Sequence, residues 1–236
     1  MMKSLYFMGI LTIASVMLLS LGLAVGEEIV LEAELANEIS PPMVIAVPAD
    51  ADAAGGTAPD EPSNGQFVWA PDKPVNGGPN GDRGWVKFII NIVDDGTYAI
   101  WANVVAWDGN SDSFWTTWQP VDTNENPQQT QNMDYRWSIG NGAAWHWDRV
   151  EAWKADDSHE DRVWDLPVGE TILTIWTRED GSMLDSLYIT DDIAAGSVNR
   201  RVPDDDDRQL QIEGVLQAVE AEGKLPITWG YIRSYY

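Results

Sequence analysis

The chain has 236 residues, 38 of them acidic and 14 basic, for a formal charge of −24, and it contains no cysteine. The negative field disfavours nucleic acid and anionic membrane surfaces as partners, and favours divalent cations and neutral ligands. Without cysteine there is no disulfide scaffold, so stability falls to a packed core, with bound metal as a further source.

The chain opens like a secretory signal peptide. Lys3 precedes an uncharged run, residues 5–25, and Ala24, Val25 and Gly26 form a small-residue exit ahead of Glu27 and Glu28. The run has 21 residues, long enough to serve as an uncleaved membrane anchor instead. Cleavage after Gly26 makes residues 1–26 a leader. It sends the remainder out of the cytoplasm, to the medium, the cell surface or a periplasm, with no membrane contact of its own. Losing Lys3 leaves 13 basic residues against 38 acidic ones, a charge of −25.

After the leader, "IVLEAELA" (29–36) alternates and reads as a strand, and "MVIAV" (43–47) as a second. "PADADAAGGTAPDEPSNG" is a loop by composition, "QFVWA" (66–70) a short strand and "PDKPVNGGPNGDRG" (71–84) another loop. "WVKFIINIV" (85–93) and "TYAIWANVVA" (97–106) flank Asp94, Asp95 and Gly96, which predicts an antiparallel hairpin. "SFWTTW" (113–118), "YRWSIG", "AWHWDRVEAW", "RVWDL", "ETILTIWTR" and "LDSLYIT" are further strands, with a polar loop at 124–132. The pattern predicts an all-β fold over 27–192, an antiparallel β-sandwich or jelly roll. Residues 193–236 differ. An acidic stretch, "PDDDD" (203–207), precedes apolar residues at helical spacing from Leu210 to Val219, which predicts an acidic linker and a short C-terminal helical tail.

Twelve of the 13 tryptophans lie between Trp69 and Trp176. Core packing rarely uses so many, because each indole is bulky and carries a donor that needs a partner. Some are therefore expected to face a ligand. Trp107, in "WDGNSDSFW" with Asp112 nearby, is a loop candidate; Trp101 and Trp176, inside strands, read as core. Trp145 and Trp147 share a strand face and suit either a ligand platform or paired core positions. Three carboxylates also look out of place. Glu32 and Glu34 lie two apart on a predicted strand and so on one face. Asp185 is in step with the apolar Leu187 and Ile189. Brought together, three such groups would suit Ca²⁺, which takes roughly six to eight oxygen ligands. Residue types alone equally allow two glutamates at a solvated edge and an aspartate capping a turn.

The opening "EAE", the middle "GTYAIWANVVA" and "SDSFW", and the closing "LPVGETILTIWTREDGSMLDSLYIT" together resemble the calcium-containing carbohydrate-binding modules of families six and thirty-five, within the galactose-binding-like superfamily. The resemblance covers about residues 29–192. It implies a structural calcium held by Glu32, Glu34 and Asp185. It also implies a glycan site in the loops at one end of the sandwich, with Trp69, Trp145 or Trp147, and Arg178, Glu179 and Asp180 of "TREDG". Many such modules carry an asparagine where this chain has "REDG", and the inserts at 50–64 and 119–134 are long.

Three functions follow as expectations. The first is a secreted, non-catalytic module that binds a polysaccharide or glycan and holds a structural calcium. The second is an extracellular surface or matrix module that contacts a protein partner, at the cell surface or on an enzyme. The third is a polysaccharide-active enzyme. For that last reading the chain offers no G-x-S-x-G and no cysteine nucleophile, and its two histidines are His146 and His159, the latter in "DDSHEDR".

Overall fold

The computed structural model describes residues 28–53, 59, 61–71, 84–124, 126–194 and 200–221. The proposed leader and the aromatic end of the tail lie outside the described residues. Among the described residues, fourteen strands and three α-helices follow in chain order. The strands are β1 (Glu28–Glu32), β2 (Glu38–Ser40), β3 (Val44–Ala46), β4 (Phe67–Trp69), β5 (Trp85–Ile92), β6 (Gly96–Ala106) and β7 (Ser113–Gln119). They continue as β8 (Arg136–Ser138), β9 (Gly142–Arg149), β10 (Glu151–Trp153), β11 (His159–Asp161), β12 (Trp164–Leu166), β13 (Gly169–Thr177) and β14 (Met183–Thr190). The helices are α1 (Pro48–Ala53), α2 (Pro127–Thr130) and α3 (Asp205–Ala221).

Two antiparallel sheets form a β-sandwich. One has the order β2-β5-β13-β7-β8. The other runs β12-β6-β14-β4-β3, with β1 also on β14 and β9 also on β6. The core between them follows from period-2 alternation. On β5, Val86, Phe88, Ile90 and Ile92 point inward; on β6, Tyr98, Ile100, Ala102 and Val104 do the same. The other faces of β6 and β14 are covered as well. Trp101 and Tyr188 form one outer cluster with Val30 and Ala99, and Val105 and Met183 form a second with Phe67 and Trp69.

The predicted hairpin at 85–106 is not one. β5 pairs with β2 and β13, whereas β6 pairs with β14, β9 and β12, so the Asp94–Asp95 turn carries the chain from one sheet to the other. The Tyr98 hydroxyl donates to the Asp94 carbonyl at 2.6 Å and holds this corner. Several shorter expectations also shift. Residues 48–53, read as loop, form α1, and "AWHWDRVEAW" divides at Val150 into β9 and β10, which turns away to pair with β11. The C-terminal helix starts at Asp205, so its three aspartates lie in the first turn, where the helix dipole favours them.

Candidate functional site

Two clusters of polar and aromatic residues carry the chemistry. The first is built where β1 meets β14. These strands pair antiparallel over Glu28–Glu32 and Ser186–Thr190, so the first and last strands of the sandwich are neighbours. β1 ends at Glu32, and Ala33–Leu35 is a 3-10 turn. Glu34 therefore lies on the turn, and strand alternation is not what brings it beside Glu32.

Asp185 sits at a register shift between Leu184 and Ser186. Leu184, Leu187 and Ile189 all enter the core. Asp185 does not, because the bulge takes it out of step with them. It accepts from Asn103 Nδ2 at 2.8 Å and from Ser186 Oγ at 3.2 Å. Asn103 alternates with the inward Ala102 and Val104, so this row lies on the outer face of the sheet.

The carboxylates are nonetheless buried. Glu32 and Asp185 are 0 % exposed and Glu34 is 6 % exposed. A turn at Ser63–Gly65 lies over them. Ser63 Oγ donates to Glu32 Oε1 at 2.8 Å, Asn64 Nδ2 donates to Glu34 Oε1 at 3.0 Å, and the Ser63 backbone N–H interacts with Asp185. Asn64 and Gly65 have φ of 53° and 74°, the left-handed region that such a tight turn needs. Among the described residues, each carboxylate keeps one buried oxygen without a hydrogen-bond partner: Glu32 Oε2, Glu34 Oε2 and Asp185 Oδ1.

Burial raises all three acids. It pushes Glu34 and Asp185 up to about 7 each, with the charge on Glu32 adding to both. Glu32 is raised less firmly, because burial is opposed by Ser63 and Arg208. Among the described residues no three His, Asp or Glu side chains stand around a common point as a formed metal site. What the cluster offers is an all-oxygen donor set with orphaned atoms, and that fits a hard divalent cation.

The second cluster lies at one end of the sandwich. Loop 178–182 packs on loop 107–113. Glu179 Oε2 accepts from Ser113 Oγ at 2.6 Å and from the Asp112 N–H at 3.2 Å, and Arg178 Nη1 donates to Glu179 Oε1 at 2.6 Å and to Ser113 Oγ at 2.5 Å. Burial, with Glu179 beside it, pushes the Asp112 carboxyl up to about 6; Glu179 moves down, because its hydrogen bonds and Arg178 outweigh its burial. Gly181 (φ +84°) lets the chain pass against Trp107. A Cβ there would come within 2.6 Å of Trp107 Cζ2 and 2.7 Å of Ser111 Oγ.

Trp107 meets Trp69 edge-on (5.9 Å), Trp69 meets Phe67 (6.2 Å), and Phe67 meets Trp145 (5.7 Å), which makes one aromatic ridge. Trp69, expected as a ligand platform, is 1 % exposed. Its register partners on β3 and β14, Val44 and Met183, place it inside the sheet, so it supports the ridge and presents no free face. Trp107 and Trp145 are the half-buried ends. Trp147 is half-buried too but belongs elsewhere, packed against Tyr188 at 6.3 Å. Asp180 is half-buried in the 178–182 loop.

Sequence reasoning missed several members. Trp153 lies under Arg136 (3.2 Å) and Arg178 (5.4 Å) and stacks on His159, which extends the second cluster toward β10. Ser63, Asn64 and Asn103 complete the first. Their signals were the turn "SNG" and one asparagine inside the apolar run "IWANVVA". Arg208, whose Nε donates to Glu32 Oε1 at 2.8 Å, is the base that directly follows "PDDDD".

No family model and no curated protein matches this sequence. Solved structures do resemble it. The C-terminal family-six carbohydrate-binding module of a laminarinase from Zobellia galactanivorans is 15% identical, covers 70% of this chain and 99% of its own, and superposes with a TM-score of 0.43. A family 35 carbohydrate-binding module from Clostridium thermocellum is 14% identical, covers 69% and 97%, and gives 0.45. A module of Cellvibrio mixtus lichenase 5A, in complex with cellotriose, is 15% identical, covers 68% and 95%, and gives 0.40.

Proposed function

We propose that the chain is a non-catalytic module that binds a glycan at the loop end of its sandwich and is stabilised by calcium at Glu32, Glu34 and Asp185. One observation carries the glycan reading: the ridge ends, Trp107 and Trp145, are half-buried, and Trp107 lies beside a loop that gathers Arg178, Glu179, Asp112 and Ser113. A pyranose has an apolar face of axial hydrogens and a rim of hydroxyls. A rigid indole takes the face at low entropic cost, and fixed donors and acceptors take the rim. The protein's partner is then a soluble or wall polysaccharide outside the cell, consistent with the leader-like N-terminus.

For calcium, the support is the orphaned buried oxygens and the unusual cost of three adjacent carboxylates. Glu32, Glu34 and Asp185 would hold the ion, with Asn103 and the Ser63–Gly65 turn orienting them. When bound, the ion supplies charge neutralisation; this chain's residues supply position and burial.

A hydrolytic reading has one feature in its favour, the divergent acidities of Asp112 and Glu179. The Asp112 N–H, however, donates to Glu179 Oε2 at 3.2 Å, which holds the two residues against each other. A glycosidase pair stands about 5–9.5 Å apart, to admit the scissile bond. This pair is better read as one hydrogen-bonded unit that receives sugar hydroxyls.

Affinity electrophoresis in gels containing soluble polysaccharides, with calcium and with chelator, tests the proposal. Retardation that Trp107→Ala abolishes is expected. Unretarded migration across β-glucans, xylans, mannans and galactans, together with an unresponsive glycan array, would refute the glycan reading.

A further inference from the structure

Among its described side chains, those of residues 205–214, helix α3 is anchored to the acid cluster by polar groups. Arg208 reaches from its second turn to Glu32 Oε1 at 2.8 Å, and its Nη2 donates to the Pro203 carbonyl at 2.8 Å. One turn further, the Gln211 carboxamide takes both backbone groups of Glu32. The Glu32 N–H donates to Gln211 Oε1 at 2.8 Å, and Gln211 Nε2 donates to the Glu32 carbonyl at 2.9 Å. Among the described residues β1 pairs only with β14, so this amide stands where a neighbouring strand's backbone would. Arg201 ties the helix start to the other end of β1, paired with Glu28 and with Asp207. Among the described side chains of the helix apolar burial adds little: Leu210 is 68 % exposed, and Ile212 is exposed as well.

The described part of the helix is thus held largely through Glu32, one of the three acids with an orphaned oxygen. Glu32 Oε1 already carries a hydroxyl and a guanidinium. To serve as a metal ligand with both oxygens, Glu32 must release Arg208. To serve with Oε2 alone, it must hold a dication within a few ångströms of a fixed positive charge. Either route costs free energy, because like charges at that separation repel strongly where water is excluded.

We propose that the Arg208 guanidinium and a divalent cation are antagonistic partners of Glu32, so that loading the acid cluster with calcium loosens helix α3 from β1, and docking of α3 weakens calcium binding. The inference rests on the calcium reading above. Reciprocity is required: whatever factor the helix takes from calcium affinity, calcium takes from helix docking.

The test uses the full chain, wild type and Arg208→Gln, with calcium titrated calorimetrically and amide exchange followed by mass spectrometry over 205–214. Coupling of ordinary size predicts that R208Q binds calcium about 5- to 150-fold more tightly. It also predicts that calcium speeds exchange of the wild-type helix. A second variant, Gln211→Ala, removes the backbone clasp without changing charge, and is expected to tighten calcium binding in the same direction by a smaller factor. Weaker calcium binding by R208Q would make Arg208 a positioning residue for Glu32 and overturn the antagonism. Helix exchange indifferent to saturating calcium would overturn it too. If neither wild type nor R208Q binds calcium, the calcium reading falls and the antagonism with it. That case is recognisable because R208Q alone still speeds α3 exchange in metal-free buffer.

Discussion

Asp185→Asn separates the cost of the buried charge from its use. The asparagine keeps the shape and can still accept from Asn103, which lies 2.8 Å from the native carboxylate. In metal-free protein the Asp185 carboxyl is raised from 3.8 to about 7, first by burial and then by Glu32. A folded-state acidity raised above the unfolded one gives stability that is complete below about pH 4 and lost as pH rises through about 7. The rise is about 3 units, and at about 1.4 kcal/mol each its ceiling is about 4 kcal/mol. Because Glu32 and Glu34 share the repulsion, a gain of about 2–4 kcal/mol is expected for the variant at pH 8 in chelator. For a domain of this size that is roughly 4–16 °C in Tm. At pH 5, about 1 unit above the unfolded value of 3.8, the same linkage shrinks the gain to about 1–2 kcal/mol, because only the folded carboxyl is still protonated. Calcium at about 100 Kd should add about 2.7 kcal/mol to the wild type, and much less to the variant that lacks a ligand oxygen. Scanning calorimetry at pH 5 and pH 8, with calcium and with chelator, reads all four cases. A variant less stable than wild type at pH 8 in chelator would refute the argument, since the carboxylate would then be a net stabiliser through Asn103 and Ser186.

Three further outcomes are expected. Trp107→Ala should weaken glycan binding by about 2 kcal/mol, roughly thirtyfold; a titration showing equal affinity would remove Trp107 from the site. Gly181→Ala should cost about 1–3 kcal/mol of stability, because φ is +84° and the new Cβ meets Trp107 at 2.6 Å, and chemical denaturation would show no change if the loop can yield. Asp122→Ala should be the most damaging core change, at about 3–5 kcal/mol. It strands Arg162, bound at 2.8 Å, and removes the acceptor of Trp164 Nε1 and the Trp118 N–H. A loss below about 1 kcal/mol in urea would mean that Arg162 finds water.

Much of the architecture was legible because alternation is local. Val86, Phe88, Ile90 and Ile92 declare an inward face without reference to any other strand, and "PDDDD" followed by spaced apolar residues declares a helix start. The meeting of Glu32, Glu34 and Asp185 was also foreseeable, though the argument for it was partly wrong: Glu34 is on a turn, and a bulge turns Asp185 away from the core. The hairpin at 85–106 failed for a related reason. An Asp-Asp-Gly turn closes a hairpin or a corner between sheets equally well, and the choice depends on which strands, distant in sequence, complete each sheet. Tryptophan exposure was likewise beyond reach, since Trp69 and Trp107 differ only in what other segments lay over them.

The sequence by itself determined the periods, the turn residues and the surplus of charge, because these follow from backbone geometry and side-chain chemistry along a few consecutive residues. The tertiary structure decided the partners. Only the closed sandwich brings β1 to β14, lays Ser63 and Asn64 over three carboxylates, and carries Arg208 across 176 positions of chain to Glu32. Such contacts are set by packing and desolvation of the whole molecule, which no short stretch encodes.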